Sequence, residues 1–401
     1  MSEVNFAEIK NSRLALNFVF ASMGLASMSA ATRLAEIKDA VGVGDAIFGY
    51  ALAAGTIGGI TGNFLSHHAI HRFGNTLVIR VFGLIMMTSV AMQSQATTPG
   101  FLALCTSLTA LGYSSMNVAV NAVGVETEIY MGRSIMPMFH AFWSTGALTT
   151  SLIGNLVAGI TSPTEHLFAI WFVAVSALLF SSHFLVDPNR GLPKPDRKAP
   201  IAWSTRKTLI GISFALSLGM IAESSVYDWC TIYFHEVIGL PIGPNTLGLT
   251  GFLIAQIIGR LIVGRLNDKF GLHKVIRFSA IAGGTTYLFM LLINRHLLEN
   301  PTYAGSVFAL VISMIGFACI GFGVAALPAG YMAGAGRVAG ISTTRAIAMV
   351  AVLNTTFALV FRPILSTLVG NLGLSIALIF AAVALFASGI QSKILKPSAA
   401  L

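Results

Sequence analysis

Long stretches of this 401-residue chain contain no Asp, Glu, Lys or Arg: 81–125, 134–164, 166–186, 237–259, 278–294, 300–336 and 363–392. Water is a poor solvent for such runs. A hydrocarbon core is crossed by roughly 20 apolar residues wound as a helix, because only a helix or a closed barrel satisfies its own backbone hydrogen bonds there. The chain therefore reads as an all-α integral membrane protein. Its charged fraction of 10% agrees, since a soluble domain carries about 25%.

With charges and turn residues taken as breaks, spans are expected near 13–35, 46–70, 77–95, 99–125, 136–160, 165–186, 207–233, 244–265, 275–294, 303–329, 338–365 and 371–393. The run 81–125 holds two of these twelve spans, broken between Ser94 and Gly100. The first segment carries Arg33 and lacks a small-residue cleavage site, so it is expected to stay as a span rather than be removed as a signal peptide. With the N-terminus placed in the cytoplasm, Lys and Arg divide 20 to 4 between the two faces, only Arg33, Lys38, Arg295 and Arg362 falling outside. That asymmetry places both termini in the cytoplasm.

The net charge of +9 sits in short loops between apolar runs, which argues against a nucleic-acid surface. Cys105, Cys230 and Cys319 lie in or beside spans and are odd in number, so they read as packing residues rather than disulfides or metal ligands. No Walker loop, HExxH or CxxC is present, and Gly321 to Ala326 matches a dinucleotide fingerprint only inside an apolar span. The sequence thus calls for no cofactor and no metal, and does not read as an enzyme.

One hydrophilic segment, 187–207, carries Pro193, Pro195, Pro200 and clustered basic residues. It divides the chain into a six-helix bundle at 1–186, a cytoplasmic linker at 187–207 and a second six-helix bundle at 208–401. The phrase RFGNTLVIR at 72–80 returns as KFGLHKVIR at 269–277, in the equivalent loop of the second half, and Gly62 then aligns with Gly259. Two pseudo-symmetric six-helix bundles are a recurrent transporter plan. Gly55 with Gly59, and Gly58 with Gly62, have the small-xxx-small spacing that lets helices approach closely.

The segment GRLNDKFGLHK at 264–274 resembles the signature loop of the major facilitator superfamily, with Gly264, Asp268, Lys269, Gly271 and Lys274 in register. In the first-half copy only Arg72 and Gly74 match, His71 standing where the acid belongs and His67 where the first glycine belongs. ATRLAEIKDAVGVGD (31–45), VAVNAVGVETE (118–128), MGRSIMPMFHAFWSTGAL (131–148), AESSVYDW (222–229) and RPILSTLVGNLGL (362–374) are similar to bacterial inner-membrane members distantly related to fucose permease. The chain departs from that branch at Asn117, where an acid is common, and at Arg362, where small residues are. The resemblance implies the major facilitator fold. It also implies that the acid of the signature loop latches the cytoplasmic side while the transporter faces outward, a role that would fall to Gly264, Asp268, Lys269 and Gly271.

Ionisable groups in a bilayer cost roughly 2.5–3.5 kcal/mol each on insertion scales, so each calls for a role. Glu223 lies about 24 Å into span seven at 1.5 Å per residue. A carboxyl at that depth can take up and release a proton, as proton coupling requires; a structural, hydrogen-bonded Glu is the other reading. Asp228 is expected either to join in coupling or to latch Arg33 at the outer end of span one, unless both reach solvent. Asn117 and Asn121 share a helix face and can bind a polar solute or another helix. His140 offers a coupling site or a packing residue, and Trp143 and Ser144 lie on the same stretch. Arg362 suits an anionic solute, a pairing with Glu223, or an outward reach. Glu126, Glu128 and Arg133, with Arg337 and Arg345 at the equivalent corner, read as a cytoplasmic salt-bridge network or as plain loop charges.

These features point to a secondary active transporter of the bacterial cytoplasmic membrane. It is expected to move a small polar solute, sugar-like or an organic acid, by alternating access with protons as the coupling ion, and to act as a monomer in the lipid bilayer. Export of amphipathic compounds, or a receptor or scaffold that has lost transport, are the alternatives.

Overall fold

The computed structural model describes residues 6–131, 135–186, 200–299, 302–341 and 343–395. Arg133 and residues 187–199 of the expected linker lie outside them. The helices are α1 (Phe6–Ser27), α2 (Leu34–Val41), α3 (Asp45–Ala53), α4 (Gly55–Phe73), α5 (Asn75–Met92), α6 (Pro99–Met131), α7 (Met136–Val157), α8 (Pro163–Ser182), α9 (Trp203–Ile232), α10 (Leu247–Phe270), α11 (Leu272–Glu299), α12 (Tyr303–Ala325), α13 (Leu327–Gly336), α14 (Thr343–Leu372) and α15 (Leu374–Gln391). No β-strand is present among the described residues.

Every expected span falls on a helical segment. Span one is α1, a tight turn at Ala30–Arg33 and α2, so it runs on to Val41. Span two is α3 with α4, and span ten is α12 with α13, interrupted just ahead of Pro328. Helix α9 begins at Trp203, inside the segment expected to be linker. Helix α14 continues past Pro363 to Leu372, because a bilayer tolerates a helix proline where neighbours re-satisfy the freed backbone. Nine segments among the described residues are long and apolar enough to cross a membrane. The three expected spans outside that set, on α4, α6 and α7, are diluted by Gly, Ser, Thr and Asn.

The chain forms two compact units, one from Met1–Val43 with Tyr50–Pro195 and one from Gly44–Gly49 with Asp196–Leu401. The same packing pairs recur inside each. In the first unit α4 packs on α6, α5 on α6 and α8, and α1 on α7 and α8; in the second α10 packs on α12, α11 on α12 and α15, and α9 on α14 and α15.

The repeated phrase has one structural job in both places. Gly74 ends α4 at φ 81 and donates its N–H to Ile70 O at 2.9 Å, and Gly271 ends α10 at φ 86 and donates to Asn267 O at 2.9 Å. Only glycine takes such a φ without strain. The Val-Ile that follows is buried each time, as Val78 and Ile79 and as Val275 and Ile276. The start of the next helix is then tied to the last helix of its unit. Arg80 Nε donates to Ser182 Oγ at 2.8 Å, and Ser392 Oγ donates to His273 O at 3.1 Å.

Between membrane helices there is little hydrophobic drive, so close approach at small residues carries the packing. At the α4–α6 crossing, a methyl group on Gly58 would overlap the Ser107 carbonyl and one on Gly62 the Leu111 carbonyl. Ser107 Oγ donates to Ala54 O and Ser115 Oγ to Gly62 O, both at 2.9 Å. Gly259, the counterpart of Gly62, meets Ala325 and Phe322 at the α10–α12 crossing. Apolar side chains such as Phe172, Leu156 and Phe278 are exposed, as lipid-facing positions require. Gly58→Ala is expected to destabilise the protein by about 1–3 kcal/mol through overpacking. Gly100→Ala, at an open position, should change stability by less than about 0.5 kcal/mol. Thermal unfolding of the two variants in detergent checks the contrast.

Candidate functional site

Helix α9 brings the charged groups of the second unit together. Its position 223 lies about 30 Å along the helix from Trp203 at 1.5 Å per residue. The Glu223 side chain is buried, with 5% exposure. Its Oε1 accepts a hydrogen bond from Tyr227, one turn on, at 2.9 Å and another from Gln256 Nε2 of α10 at 2.8 Å. Arg260, one turn beyond Gln256, brings its guanidinium to 3.6 Å from the same oxygen. The other oxygen, Oε2, is buried with no hydrogen-bond partner. Oε1 thus takes two hydrogen bonds and a nearby cation, and Oε2 takes no hydrogen bond.

Asp228, five residues on, turns to a different face and meets α14. Its Oδ2 pairs with Nη2 of Arg362. The Arg362 Nε is buried and has no hydrogen-bond partner. Farther along the same α9–α14 seam, Ser217 Oγ donates to Asn354 Oδ1 at 3.0 Å.

The expected Arg33–Asp228 latch is corrected, because both groups are committed elsewhere. Arg33 is fully buried, and each of its side-chain nitrogens donates to a partner within the first unit. Nη1 donates to both oxygens of Glu36 at 2.9 Å, Nη2 to Thr161 Oγ1 at 2.9 Å and Nε to His166 Nδ1 at 3.0 Å. An accepting Nδ1 places the ring proton of His166 on Nε2. The expected pairing of Arg362 with Glu223 is corrected in the same way, Arg362 being taken by Asp228 and Glu223 by α10.

The remaining expected residues are spread more widely. Asn117 and Asn121 do share a face of α6, Asn121 Nδ2 donating to Asn117 Oδ1 at 2.9 Å and to its backbone oxygen at 2.7 Å. On α7, His140 is exposed and lies edge-on to Phe20 at 5.5 Å. Trp143 is half-buried, its backbone closely approached by Gly24, and Ser144 Oγ donates to His140 O at 3.0 Å. Glu128 acts as a helix cap: its Oε2 accepts the backbone N–H groups of Ile135 at 2.7 Å and Met136 at 2.9 Å, at the start of α7. A carboxylate there also meets the positive end of the helix dipole. Gly264, Asp268 and Lys269 are exposed toward the end of α10, Lys269 lying over the Phe270 ring at 5.2 Å, with Gly271 as the cap described above. Arg345 is half-buried at the start of α14.

The family model of the Major Facilitator Superfamily matches residues 14–344. The chain belongs to that superfamily. An uncharacterized transporter of Sinorhizobium fredii is 27% identical over 80% of this chain and 81% of its own length. The cis,cis-muconate transport protein of Acinetobacter baylyi is 24% identical over 63% of each chain. In three dimensions, a substituted form of the nucleoside transporter NupG superposes with a TM-score of 0.70 at 15% identity, over 96% of this chain and 98% of that one. The fold is thus the major facilitator fold, and the protein is a multi-pass membrane transporter.

Several groups in this superfamily member escaped sequence reasoning. Arg260 counted only as a basic residue near a loop, and Gln256 passed unnoticed within an uncharged run, although an amide in such a run is itself a signal. Tyr227 gave a signal only as the i+4 neighbour of Glu223, to which it donates a hydrogen bond. His166, Thr161 and Glu36 could not be assigned to Arg33, because their distances in sequence to Arg33 run from 3 to 133 residues. Breaking a buried ion pair by removing one partner is strongly destabilising. Arg33→Gln is accordingly expected to lower stability by about 3 kcal/mol, read as a loss of melting temperature in detergent, with Glu36→Gln giving a smaller loss.

Proposed function

We propose that this transporter moves a small polar solute, sugar-like or an organic acid, across the bacterial cytoplasmic membrane by alternating access, with protons as the coupling ion. The observation that carries the reading is the Glu223 carboxyl, buried at membrane depth, gripped on one oxygen by Tyr227, Gln256 and Arg260 and unpartnered on the other. Such a group binds a proton reversibly without dismantling its surroundings.

In this reading Glu223 is the main proton site, with Asp228 and His140 as further coupling groups. Asn117, Asn121, Trp143 and Arg362 contact the solute. Gly264, Asp268, Lys269 and Gly271 form the cytoplasmic latch, with Glu128, Arg133 and Arg345 in the gating network and Arg33 holding the outer end of span one. Both termini and the 187–207 linker between the two six-helix domains are cytoplasmic, and the protein works as a monomer. The muconate transport protein among the relatives supports the organic-acid side of the solute class.

A solute found by ligand stabilisation of the purified protein against a metabolite library allows the decisive measurement in proteoliposomes. Glu223→Gln should lower uptake driven by a proton gradient at least about tenfold, equivalent to about 1.4 kcal/mol, while solute counterflow without a gradient continues. Gradient-driven accumulation by Glu223→Gln at the wild-type level overturns the coupling assignment.

A further inference from the structure

Asp228 fills only one prong of the Arg362 fork. Nη2 is paired with Asp228 Oδ2, whereas Nε, on the same edge of the guanidinium, is buried and has no acceptor. A free carboxylate fits that edge with two parallel N–H···O bonds, one to Nε and one to an Nη nitrogen. The resident aspartate therefore satisfies the edge less completely than a solute carboxylate would.

Packing alone does not explain the pair. Two apolar side chains would hold α9 to α14 at least as well as an ion pair taken out of water. The pair is also reachable, the Arg362 and Asp228 side chains being 24% and 18% accessible. Ser224, half-buried one turn before Asp228, and the Ser217–Asn354 pair supply hydrogen-bonding groups along the same seam.

We propose that Arg362 is the anion-binding residue of an organic-acid substrate, whose carboxylate takes Nε and Nη2 together, and that Asp228 is the resident carboxylate which the substrate displaces. This rests on the transport reading above and narrows its solute from sugar-like or acidic to acidic. The Arg362 cation stays paired throughout, while Asp228, still carried on α9, gives up its counterion; that cost is what Asp228→Asn removes.

The test uses the full-length protein in detergent, at equilibrium and without any gradient, so its outcome is independent of whether uptake is proton-driven. The probes are acetate, benzoate, succinate and cis,cis-muconate, each beside its neutral amide, with a hexose and a nucleoside as neutral solutes. At least one acid should raise the melting temperature saturably while its amide does not. Asp228→Asn should melt lower without ligand, because Arg362 loses its counterion. It should nevertheless bind that acid about tenfold more tightly, equivalent to about 1.4 kcal/mol. Arg362→Gln should lose acid binding. The charge-neutral pair Asp228→Asn with Arg362→Gln should fold and still lose it, which separates a lost site from a lost fold. The proposal is overturned if acid binding survives in the double variant, if Asp228→Asn weakens it, if no acid of the panel binds wild type or Asp228→Asn, or if only the neutral solutes bind.

Discussion

Inside a bilayer the solvent offers no hydrogen bonds, so every polar group and every charge must find its partner within the protein. Much of this structure follows from that requirement. Helices are drawn together where backbone can touch backbone: at the α4–α6 crossing through Gly58 and Gly62, between α1 and α7 through the reciprocal pair Gly24 and Gly146, and between α11 and α12 where Gly283 faces Gly323. Serine and threonine hydroxyls at these seams bond to carbonyls of the same or the neighbouring helix, as Thr106 does to Ala51 at 2.7 Å. The same constraint pairs the intramembrane charges, Arg33 with Glu36, Glu223 with Arg260 and Asp228 with Arg362.

Those pairs differ in how completely they are satisfied. In the first unit, Arg33 spends each of its side-chain nitrogens on Glu36, Thr161 and His166, and only the far nitrogen of His166 lacks a partner. A guanidinium whose every nitrogen is engaged in this way fixes geometry. In the second unit, Glu223 keeps one oxygen without a donor and Arg362 keeps one donor without an acceptor. Both belong to ion pairs made by α9, on two of its faces, one toward α10 and one toward α14. An unfinished pair at membrane depth is costly unless a further species completes it during the working cycle. Under the two proposals above, a proton would complete the first and an anion the second, which would give one helix both a coupling site and a substrate site.

The membrane class and the positions of the helical segments were legible because they depend on composition and period, which survive in a single sequence. The break in span ten ahead of Pro328 and the run of α14 through Pro363 were not, since proline ends a helix in one neighbourhood and is absorbed in another. At the candidate site, Glu223, Asp228 and Arg362 stood out as candidates by their depth alone. Their partners could not, because Arg362 reaches across 134 residues of sequence to Asp228 and Gln256 across 33 to Glu223. Pairing is a property of which helix faces meet. Residue type and depth leave several pairings equally acceptable, and Arg33 with Asp228 was one of them. Glu128 shows the same limit from another side: its charge suggested a salt-bridge network, and nothing in residue type or spacing showed that its carboxylate would also cap backbone N–H groups at the start of α7.

The two copies of the repeated phrase separate what folding needs from what it does not. Both keep the glycine that accepts a positive φ, the buried Val-Ile and the tie to the last helix of the unit, each of which a helix end at that place requires. They differ at the acid and at the first glycine of the loop, where one copy has Asp268 and Gly264 and the other His71 and His67. In the second unit both of those residues are exposed, and a side chain built at Gly264 would meet nothing nearby. Substitutions at such places cost little stability. Folding therefore leaves these positions free to differ between the halves, and an acid held on the last turn of α10, beside the exposed Lys269, is available for work that the first unit does not share.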